Sequence, residues 1–401
     1  MVRGQVCARQ GGDGGIENDT GRAACFDPGV WRAQKGRSRG DGGRTAPRGL
    51  SGFVSPGASG CESLFGCGGC SGSQSEKMSE FTAIGIDVGG TKIAGGVVTF
   101  PEGTVHARET VPTPSGSNAI AEEIESLATL LQERSPGLEI RGVGLGLCEI
   151  VSAEGAIASH CLTTWAEDPL RERLLRLGPV RIEADVRAAA RAEALLGAGR
   201  ALRCFLYVSI ATGISSCLVI DGEPFLGANG ATGTMATGPL PSFWGDASDA
   251  IGPSLEEIAS GPALVARFTA AGGKARNARD VLSAAELGNS EAIRIVKSGA
   301  AALGGAIGWL INVLDPECVI LGGGLGLSEG LFREGLIRSA RAHIWRAPGG
   351  DIGSMKSRGS SRELAPPGGG REFPIVSAAT GADAGWIGAA AALWKEKSAA
   401  H

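Results

Sequence analysis

The sequence lacks the features that membrane-spanning and nucleic-acid-binding proteins need. Its 401 residues contain no run of about eighteen uncharged apolar residues, the length that crosses a bilayer as a helix. The formal net charge is -4 at pH 7, so there is no basic excess for contact with the phosphates of nucleic acid. We therefore expect a soluble, cytoplasmic protein that binds neither membranes nor nucleic acid.

Patterns that bind metal ions are also scarce. The chain has only four His, and the CxxC spacing of Cys67 and Cys70, near Cys61, has no second pair at matched spacing. Their glycine-rich surroundings favour ordinary cysteines over a zinc site. Five further cysteines lie mostly in apolar stretches and are typical of small buried side chains in a reduced compartment: Cys148, Cys161, Cys204, Cys217 and Cys318.

Residues 1–77 differ in composition from the rest of the chain. They hold 19 of the 66 glycines, with ten Lys or Arg against seven Asp or Glu, which leaves a net charge of -7 for the remaining residues. They show no periodic apolar pattern, no apolar core of a signal peptide and no helix-turn-helix pattern, so we predict a disordered extension. Because Met78 directly precedes the first apolar strand, an alternative is that the protein starts there and the upstream residues come from a misplaced start.

A glycine turn between two apolar strands is the first motif that indicates a chemistry. Residues 84–98 read IGIDVGGTKIAGGVV, and the turn is formed by Gly89, Gly90, Thr91 and Lys92. Without Cβ atoms, the glycines let backbone N–H groups surround an anion, to which Thr91 adds a hydroxyl and Lys92 a cation. By itself the segment is equally compatible with an ordinary hairpin.

Two further glycine motifs strengthen the phosphate interpretation. Residues 205–222 repeat the arrangement of strand, small-residue turn and strand, with Thr212 and Gly213 in the turn. Two similar units about 120 residues apart suggest two α/β domains that face each other across a cleft. A third run, Gly322, Gly323 and Gly324, leaves a strand and opens toward a helix, where bare backbone can approach a nucleoside.

The order of these motifs resembles the ROK family of bacterial sugar kinases and sugar-responsive repressors, within the actin-like ATPase superfamily. The blocks that carry the resemblance are IGIDVGGTK at 84–92, VRIEADVRAAARAEALLGAGR at 180–200, YVSIATGIS at 207–215, and DPECVILGGGLG through ATGADAGWIGAAAAL near the end. The resemblance implies an α/β fold of two RNase H-like domains with a central cleft. The protein would then be a homodimer or homotetramer, as ROK proteins commonly are.

The domain boundaries also follow from the resemblance. Residues 78–200 would form the first domain, completed by a C-terminal helix within 384–401. Residues 201–383 would form the second domain, which contains a Gly-, Ser- and Pro-rich stretch at 348–371 that we predict to be a mobile loop. Length alone favours two domains, since the chain exceeds the usual size of a single hydrophobic core.

Apolar periodicity and cap residues give the secondary structure of the folded part. They predict strands at 143–147 and 180–184, and helices at 118–135, 185–196, 254–271, 278–287, 290–313, 329–345 and 384–395.

Asp185 is the candidate catalytic residue. It lies between a strand and a helix, and a position of that kind often belongs to a helix cap. In the ROK family, however, this strand ends in a Glu-Asn-Asp-x-Asn run whose Asp removes the proton from the sugar hydroxyl. Here the run reads EADVR from residue 183, so the resemblance implies that Asp185 is the base, while Ala184 and Arg187 replace the two Asn residues that help to bind or frame the sugar.

The resemblance also implies ATP and Mg²⁺ as cofactors. The turn from Gly89 to Lys92 would hold phosphates from one side, and Thr212 with Gly213 from the other. Asp87 would lie near the Mg²⁺ ion. The glycines at 322–324 would border the adenosine. Phosphoryl transfer needs mainly this positioning and charge neutralisation, together with a base beside the nucleophile.

The sugar-binding positions depart from the family pattern. Thr234 stands where the family has a sugar-binding Glu, and Thr237 replaces a zinc-binding His. No Cys occurs between Cys217 and Cys318, so we expect no zinc. Glu149 replaces part of a Pro-Gly pair at the sugar pocket, where it could contact the sugar or lie in solvent. Arg187 could pair with a charged substrate group or face solvent.

These observations predict an ATP-dependent sugar kinase with a small-molecule sugar as its substrate. The alternative is a non-catalytic ROK homologue without a DNA-binding domain, which senses a sugar or binds a partner. The retained Asp185 favours the enzyme, and the altered sugar positions favour the alternative.

Overall fold

The computed structural model describes residues 80–165, 167–238, 252–345 and 373–399. The predicted extension at 1–77, its CxxC cysteines, Met78 and the predicted loop at 348–371 lie outside these described residues.

The first sheet has five strands in the order β3-β2-β1-β4-β5. Its strands are β1 (Phe81–Val88), β2 (Lys92–Phe100), β3 (Thr104–Pro112), β4 (Ile140–Leu147) and β5 (Val180–Ala184). β2 pairs antiparallel with β1 and β3, whereas β1, β4 and β5 run parallel. β1 and β4 are largely buried, as expected for the apolar central strands of a sheet covered on both faces.

The second sheet repeats the first, in the order β8-β7-β6-β9-β10. Its strands are β6 (Cys204–Ile210), β7 (Ile214–Ile220), β8 (Glu223–Pro224), β9 (Cys318–Gly322) and β10 (Ile375–Ser377). Again the hairpin strands are antiparallel, and β6, β9 and β10 run parallel. The repeat confirms the predicted α/β fold with two similar sheets.

Helices fill the connections between the strands. In the described residues they are α1 (Ser117–Glu133), α2 (Glu167–Leu174), α3 (Asp185–Leu196), α4 (Leu255–Ala259), α5 (Gly261–Ala270), α6 (Ala278–Glu286), α7 (Ser290–Leu314), α8 (Gly323–Gly326), α9 (Leu331–His343) and α10 (Ala384–Ala399). The prediction of one helix at 254–271 is wrong, because Ser260 is extended at φ -70° and ψ 163°. Its hydroxyl caps a new helix at Ala263 N, and Pro262 follows in the first turn, which is the usual place for proline in a helix.

α7 is the described helix that is long and apolar enough to cross a membrane. Half of its most apolar window is buried inside the protein. Its buried face includes Ile295, Leu303 and Ile307, which belong to the hydrophobic core of the second sheet together with Phe332 of α9. This packing is typical of the central helix of a globular core.

α10 packs against the first sheet although it is far along the chain from it. A Cβ atom at Gly85 of β1 would overlap the carbonyl oxygen of Trp386, and one at Gly144 of β4 would overlap that of Ala389. The glycines in these strands therefore let the helix backbone approach the sheet closely. The contact supports the prediction that the C-terminal helix completes the first domain. The domain boundaries themselves stay a prediction.

A separate apolar cluster packs between the two sheets. It combines Phe81 and Val98 of the first sheet with Phe205 and Ile320 of the second, and α3 and α10 contribute buried alanines such as Ala190 and Ala390. These two helices are thus the structural connection between the halves of the molecule.

Candidate active site

The parallel strands of the first sheet end at one edge, where three polar side chains come together. Asp87 is the second-last residue of β1 and pairs with Gly146 of β4. Cys148 directly follows β4, and Asp185 directly follows β5 at the start of α3. Because Leu147 pairs with Ala184, Cys148 and Asp185 leave neighbouring strands at the same level. The carboxyl ends of parallel strands are the usual position of a site in an α/β fold.

Asp87 and Asp185 form an electrostatically coupled pair. Burial, together with the charge of Asp185, raises the pKa of Asp87 from 3.8 to about 7, although Lys92 lowers it in part. Burial also raises the pKa of Asp185 to about 6, with the charge of Glu149 adding to the effect. Two neighbouring carboxylates with raised pKa values favour a proton or a cation between them.

Asp185 is not the N-cap residue of α3. That position is taken by Ala184, which is extended and has no side chain able to cap. The Asp185 carboxylate accepts a hydrogen bond of 2.6 Å from the N–H of Val186, and this bond partly offsets the rise of its pKa. Helix capping, the alternative from sequence, therefore does not account for this carboxylate.

The first glycine turn is braced on one side and open on the other. Gly89 N–H donates to the carbonyl of Lys92 at 3.0 Å, and the Thr113 hydroxyl donates to the carbonyl of Gly89 at 2.6 Å. Gly90, Thr91 and Lys92 are exposed. A Cβ atom at Gly90 would meet only Leu162, at 3.8 Å, so space lies in front of this turn.

The second turn, between β6 and β7, is held by a carboxylate from α4. Glu256 accepts a hydrogen bond of 2.9 Å from Ile214 N–H, and its Oε2 lies 3.0 Å from the position of a Cβ at Gly213. Ala211 N–H donates to the carbonyl of Gly213 at 2.9 Å, and Thr212 at the tip is exposed. The turn therefore presents Thr212 and the backbone around it.

In the third glycine run, two glycines are in close contact with β6 and one faces open space. A Cβ at Gly322 would overlap the hydroxyl of Tyr207, and one at Gly323, which has φ +77°, would overlap the backbone of Ile210. A Cβ at Gly324 would meet no described atom within 4 Å, and this residue is exposed in α8. Only Gly324 of the three thus faces open space, while the other two allow α8 to pack on β6.

The interpretation of Arg187 as a solvent-facing residue is wrong, and all three of its guanidinium nitrogens have protein partners. It is 2% exposed, and its Nε donates to Glu183 at 2.5 Å. Its two terminal nitrogens donate to the carbonyls of Gly230 at 2.9 Å and Val151 at 2.6 Å. Arg187 therefore joins a loop after β4 to a loop after β8, and the sequence gives no signal for these distant carbonyl partners.

Glu149 also differs from both interpretations made from sequence. It is 6% exposed, so it does not lie in solvent. Both of its carboxylate oxygens accept hydrogen bonds from the segment Ser159–Trp165, so they are already satisfied by the protein and are not available to a sugar.

The remaining sugar positions lie at the surface of their loops or carry no polar group. Thr234 is exposed, and its hydroxyl donates to the carbonyl of Ala231 at 3.2 Å. Gly233 has φ +88°, and its carbonyl accepts from Ser216 N–H at 3.0 Å, which docks this loop on β7. Ala184 is buried and contributes only a methyl group.

Two neighbours of the carboxylate pair were missed in the sequence. Gly385, at the start of α10, lies so close to Asp87 that a Cβ atom there would overlap its carboxylate. Cys148 was expected to be a small buried side chain, but it is exposed at the end of β4, and the charge of Asp185 raises the pKa of its thiol. The parallel register of β4 and β5 could have placed Cys148 there, whereas nothing local in the sequence brings α10 to β1.

Comparison with known proteins establishes the family. A sequence profile of the ROK family matches residues 83–397. This chain belongs to the ROK family. The bifunctional enzyme NanE/NanK of Brucella melitensis is 32% identical over 77% of this ROK chain and 53% of its own length. An N-acetylmannosamine kinase of Vibrio vulnificus is 31% identical over 62% of this chain and 84% of its own length.

The solved structures agree with the assignment. A ROK family glucokinase from Streptomyces griseus, in complex with glucose and AMPPNP, has a TM-score of 0.61 at 25% identity and covers 78% of this chain and 98% of that chain. The predicted ROK resemblance and actin-like ATPase fold are thereby confirmed. This ROK chain spans about half the length of the NanE/NanK relatives that it matches.

Proposed function

We propose that this ROK protein is an ATP-dependent sugar kinase, which transfers the γ-phosphate of ATP to a hydroxyl of a sugar or sugar derivative. The observation that carries the proposal is the placement of Asp185 beside Asp87, at the strand ends of the sheet that also bears the first glycine turn. The kinases among its relatives support it.

In this proposal Asp185 is the catalytic base. The sugar hydroxyl donates its proton to the Asp185 carboxylate as its oxygen attacks the γ-phosphorus, and ADP leaves. Burial raises the pKa of Asp185 to about 6, which leaves the carboxylate ionised at neutral pH and more basic than an exposed Asp. The carboxylate's hydrogen bond from Val186 N–H fixes its direction at the start of α3.

The turns would hold the phosphates of ATP from two sides. Exposed Thr91 and Lys92, with the Gly89–Gly90 backbone, would act from the first sheet, and Thr212 with Gly213 from the second. Gly324, and the helix start that Gly322 and Gly323 allow, would border the adenosine. The open space in front of Gly90 fits a phosphate group that must approach the backbone.

Asp87 would hold the Mg²⁺ ion that accompanies ATP. The pKa of Asp87, raised to about 7 mainly by burial and further by Asp185, fits a site that a cation stabilises. Mg²⁺ commonly takes one or two protein carboxylates and fills its other positions with phosphate and water. When bound, it neutralises charge that develops on the transferred phosphoryl group.

The substrate of the Vibrio vulnificus relative, N-acetylmannosamine, and glucose from the Streptomyces griseus complex are the first sugars to test. The assay couples ADP release to a spectroscopic signal, with each sugar supplied separately. We expect ADP release that depends on one sugar or a small group of sugars. Release that is equally slow with and without every sugar would contradict the kinase proposal.

Asp185→Asn tests the assigned base. A positioned base contributes roughly 10²- to 10⁴-fold, so we expect a loss of that size in kcat. Asp221→Asn is the matched control, because Asp221 is exposed in the turn after β7 with φ 51°, a conformation that Asn tolerates. Equal rates for the Asp185→Asn and Asp221→Asn proteins would exclude Asp185 as the base.

The cytoplasmic location, the lack of nucleic-acid binding and the assembly as a homodimer or homotetramer stay predictions.

A further inference from the structure

The carboxylate of Glu149 accepts four hydrogen bonds, all from one short segment of the chain. Its Oε2 accepts from the Ser159 hydroxyl at 2.5 Å and from Cys161 N–H at 2.7 Å. Its Oε1 accepts from Leu162 N–H at 2.8 Å and from the Trp165 indole N–H at 2.9 Å. All four donors lie in residues 159–165, which we call the wall segment. A buried carboxylate with every donor aligned is a strong local constraint on backbone position.

The wall segment borders the first phosphate turn. Leu162 Cδ1 is the nearest atom to the open face of Gly90, 3.8 Å from the position of a Cβ there. Leu162 N–H donates to Glu149 Oε1, so the carboxylate holds the backbone of the residue that faces this turn.

We propose that Glu149 is a positioning residue for nucleotide binding, which holds the wall segment in place beside the turn at Gly90. The inference rests on the proposed function, because this turn matters here as a phosphate site of a kinase. Glu149 acts through Leu162, which faces the turn.

The chemistry of the four donors explains why a carboxylate is needed. An ionised carboxylate only accepts hydrogen bonds, whereas an amide of the same shape presents one accepting oxygen and one donating NH₂ group. In a Glu149→Gln protein, the NH₂ group must face either Cys161 N–H or the pair of Leu162 N–H and Trp165 N–H. Either orientation sets donor against donor, and the Ser159 hydroxyl is the only partner that can rotate to accept.

The test is the binding of AMPPNP with Mg²⁺ to the full chain, measured by calorimetry. We expect the Glu149→Gln protein to bind about tenfold more weakly, which corresponds to the loss of roughly one well-made interaction. Amide exchange in the peptide that contains Cys161 and Leu162 should become faster. With sugar present, the KM for ATP should rise while kcat at saturating ATP stays within about threefold, since a uniform loss of binding leaves kcat unchanged.

Two further variants separate this role from general damage to the fold. Glu125→Gln is the control, because Glu125 is a carboxylate held by Arg173 and Arg176, which lie outside the wall segment and both turns. It should bind AMPPNP normally. Leu162→Ala leaves Glu149 and its four donors in place and should weaken AMPPNP binding without faster exchange at Cys161. It therefore keeps the test available if the Glu149→Gln protein does not fold.

The outcomes distinguish this inference from the kinase proposal. Unchanged AMPPNP affinity in both the Glu149→Gln and Leu162→Ala proteins would overturn the positioning role, as would unmodified protein that does not bind AMPPNP. Unmodified protein that binds AMPPNP, but phosphorylates no sugar, would overturn the kinase proposal. In that case the affinities of the variants would still decide the role of Glu149.

Discussion

Replacement of Asp185 by Asn should stabilise the folded protein while it removes most of the proposed activity. The pKa of Asp185 rises from 3.8 to about 6 on folding, chiefly through burial. The folded state therefore binds a proton at this site more tightly than the unfolded state does. The ionised carboxylate costs stability, and the cost grows as pH rises from about 4 to about 6 and then stays constant.

The expected gain in the free energy of unfolding follows from the shift in the pKa of Asp185. A difference of about two pKa units corresponds to about 3 kcal/mol at most, at 1.36 kcal/mol per unit. Part of the carboxylate remains accessible and its titration is coupled to that of Asp87, so we expect a smaller gain, about 2 kcal/mol at about pH 8. Asn cannot ionise, but its oxygen can still accept from Val186 N–H, so the hydrogen bond at the helix start is kept.

The assay is urea unfolding of the unmodified and Asp185→Asn proteins, with EDTA and without nucleotide. The free energy of unfolding should be higher for the variant at about pH 8, and the difference should fall below about 1 kcal/mol at about pH 4.5. The Asp221→Asn protein, altered at an exposed carboxylate, should show no such pH-dependent gain. An Asp185→Asn protein that is less stable than the unmodified protein at about pH 8 would refute the conclusion that the buried, ionised carboxylate lowers the free energy of unfolding.

The remaining predictions concern the packing around the site. Arg187→Met should lower the free energy of unfolding by about 3 kcal/mol, because the buried Glu183 would lose its partner at 2.5 Å and keep only Arg191, whose Nη2 lies 3.9 Å from its other oxygen; urea unfolding measures this. Gly85→Val should prevent α10 from docking on β1, since a Cβ already overlaps the Trp386 carbonyl, and should lower the yield of soluble protein. Gly90→Val should fold normally but bind AMPPNP more weakly, because its side chain fills open space. An unchanged affinity would place the phosphates elsewhere.

The parts of the fold that could be predicted from sequence are those with a local signal. β5 and α3 were predicted residue for residue, because an apolar strand is followed by Asp185 and a helix that stops at Gly197. β3 was not predicted, since it is an exposed edge strand with polar residues and gains its stability by pairing with β2. The polar helix α2 was missed for the same lack of an apolar pattern.

The site shows the same division between local and distant signals. Asp87, Asp185 and the glycine turns lie at the ends of apolar strands, and the sequence indicates where those strands end. Glu149 and Arg187 looked like loop and surface residues, because charged side chains usually lie in solvent. Their partners are up to 43 residues away along the chain, as for Arg187 and Gly230, and only the folded structure brings these groups together.

The repeated topology allows the strand ends of the two sheets to be compared residue by residue. β6 corresponds to β1, so Ser209, the second-last residue of β6, stands where Asp87 stands in the first sheet. Likewise Gly322, which pairs with Ser209, corresponds to Gly146, which pairs with Asp87. The strand ends Ser209 and Gly322 thus carry no charge, whereas Asp87 in the first sheet does. Under the proposed function, we expect the sugar and the cation at the first edge, beside Asp87 and Asp185, and the nucleoside at the second.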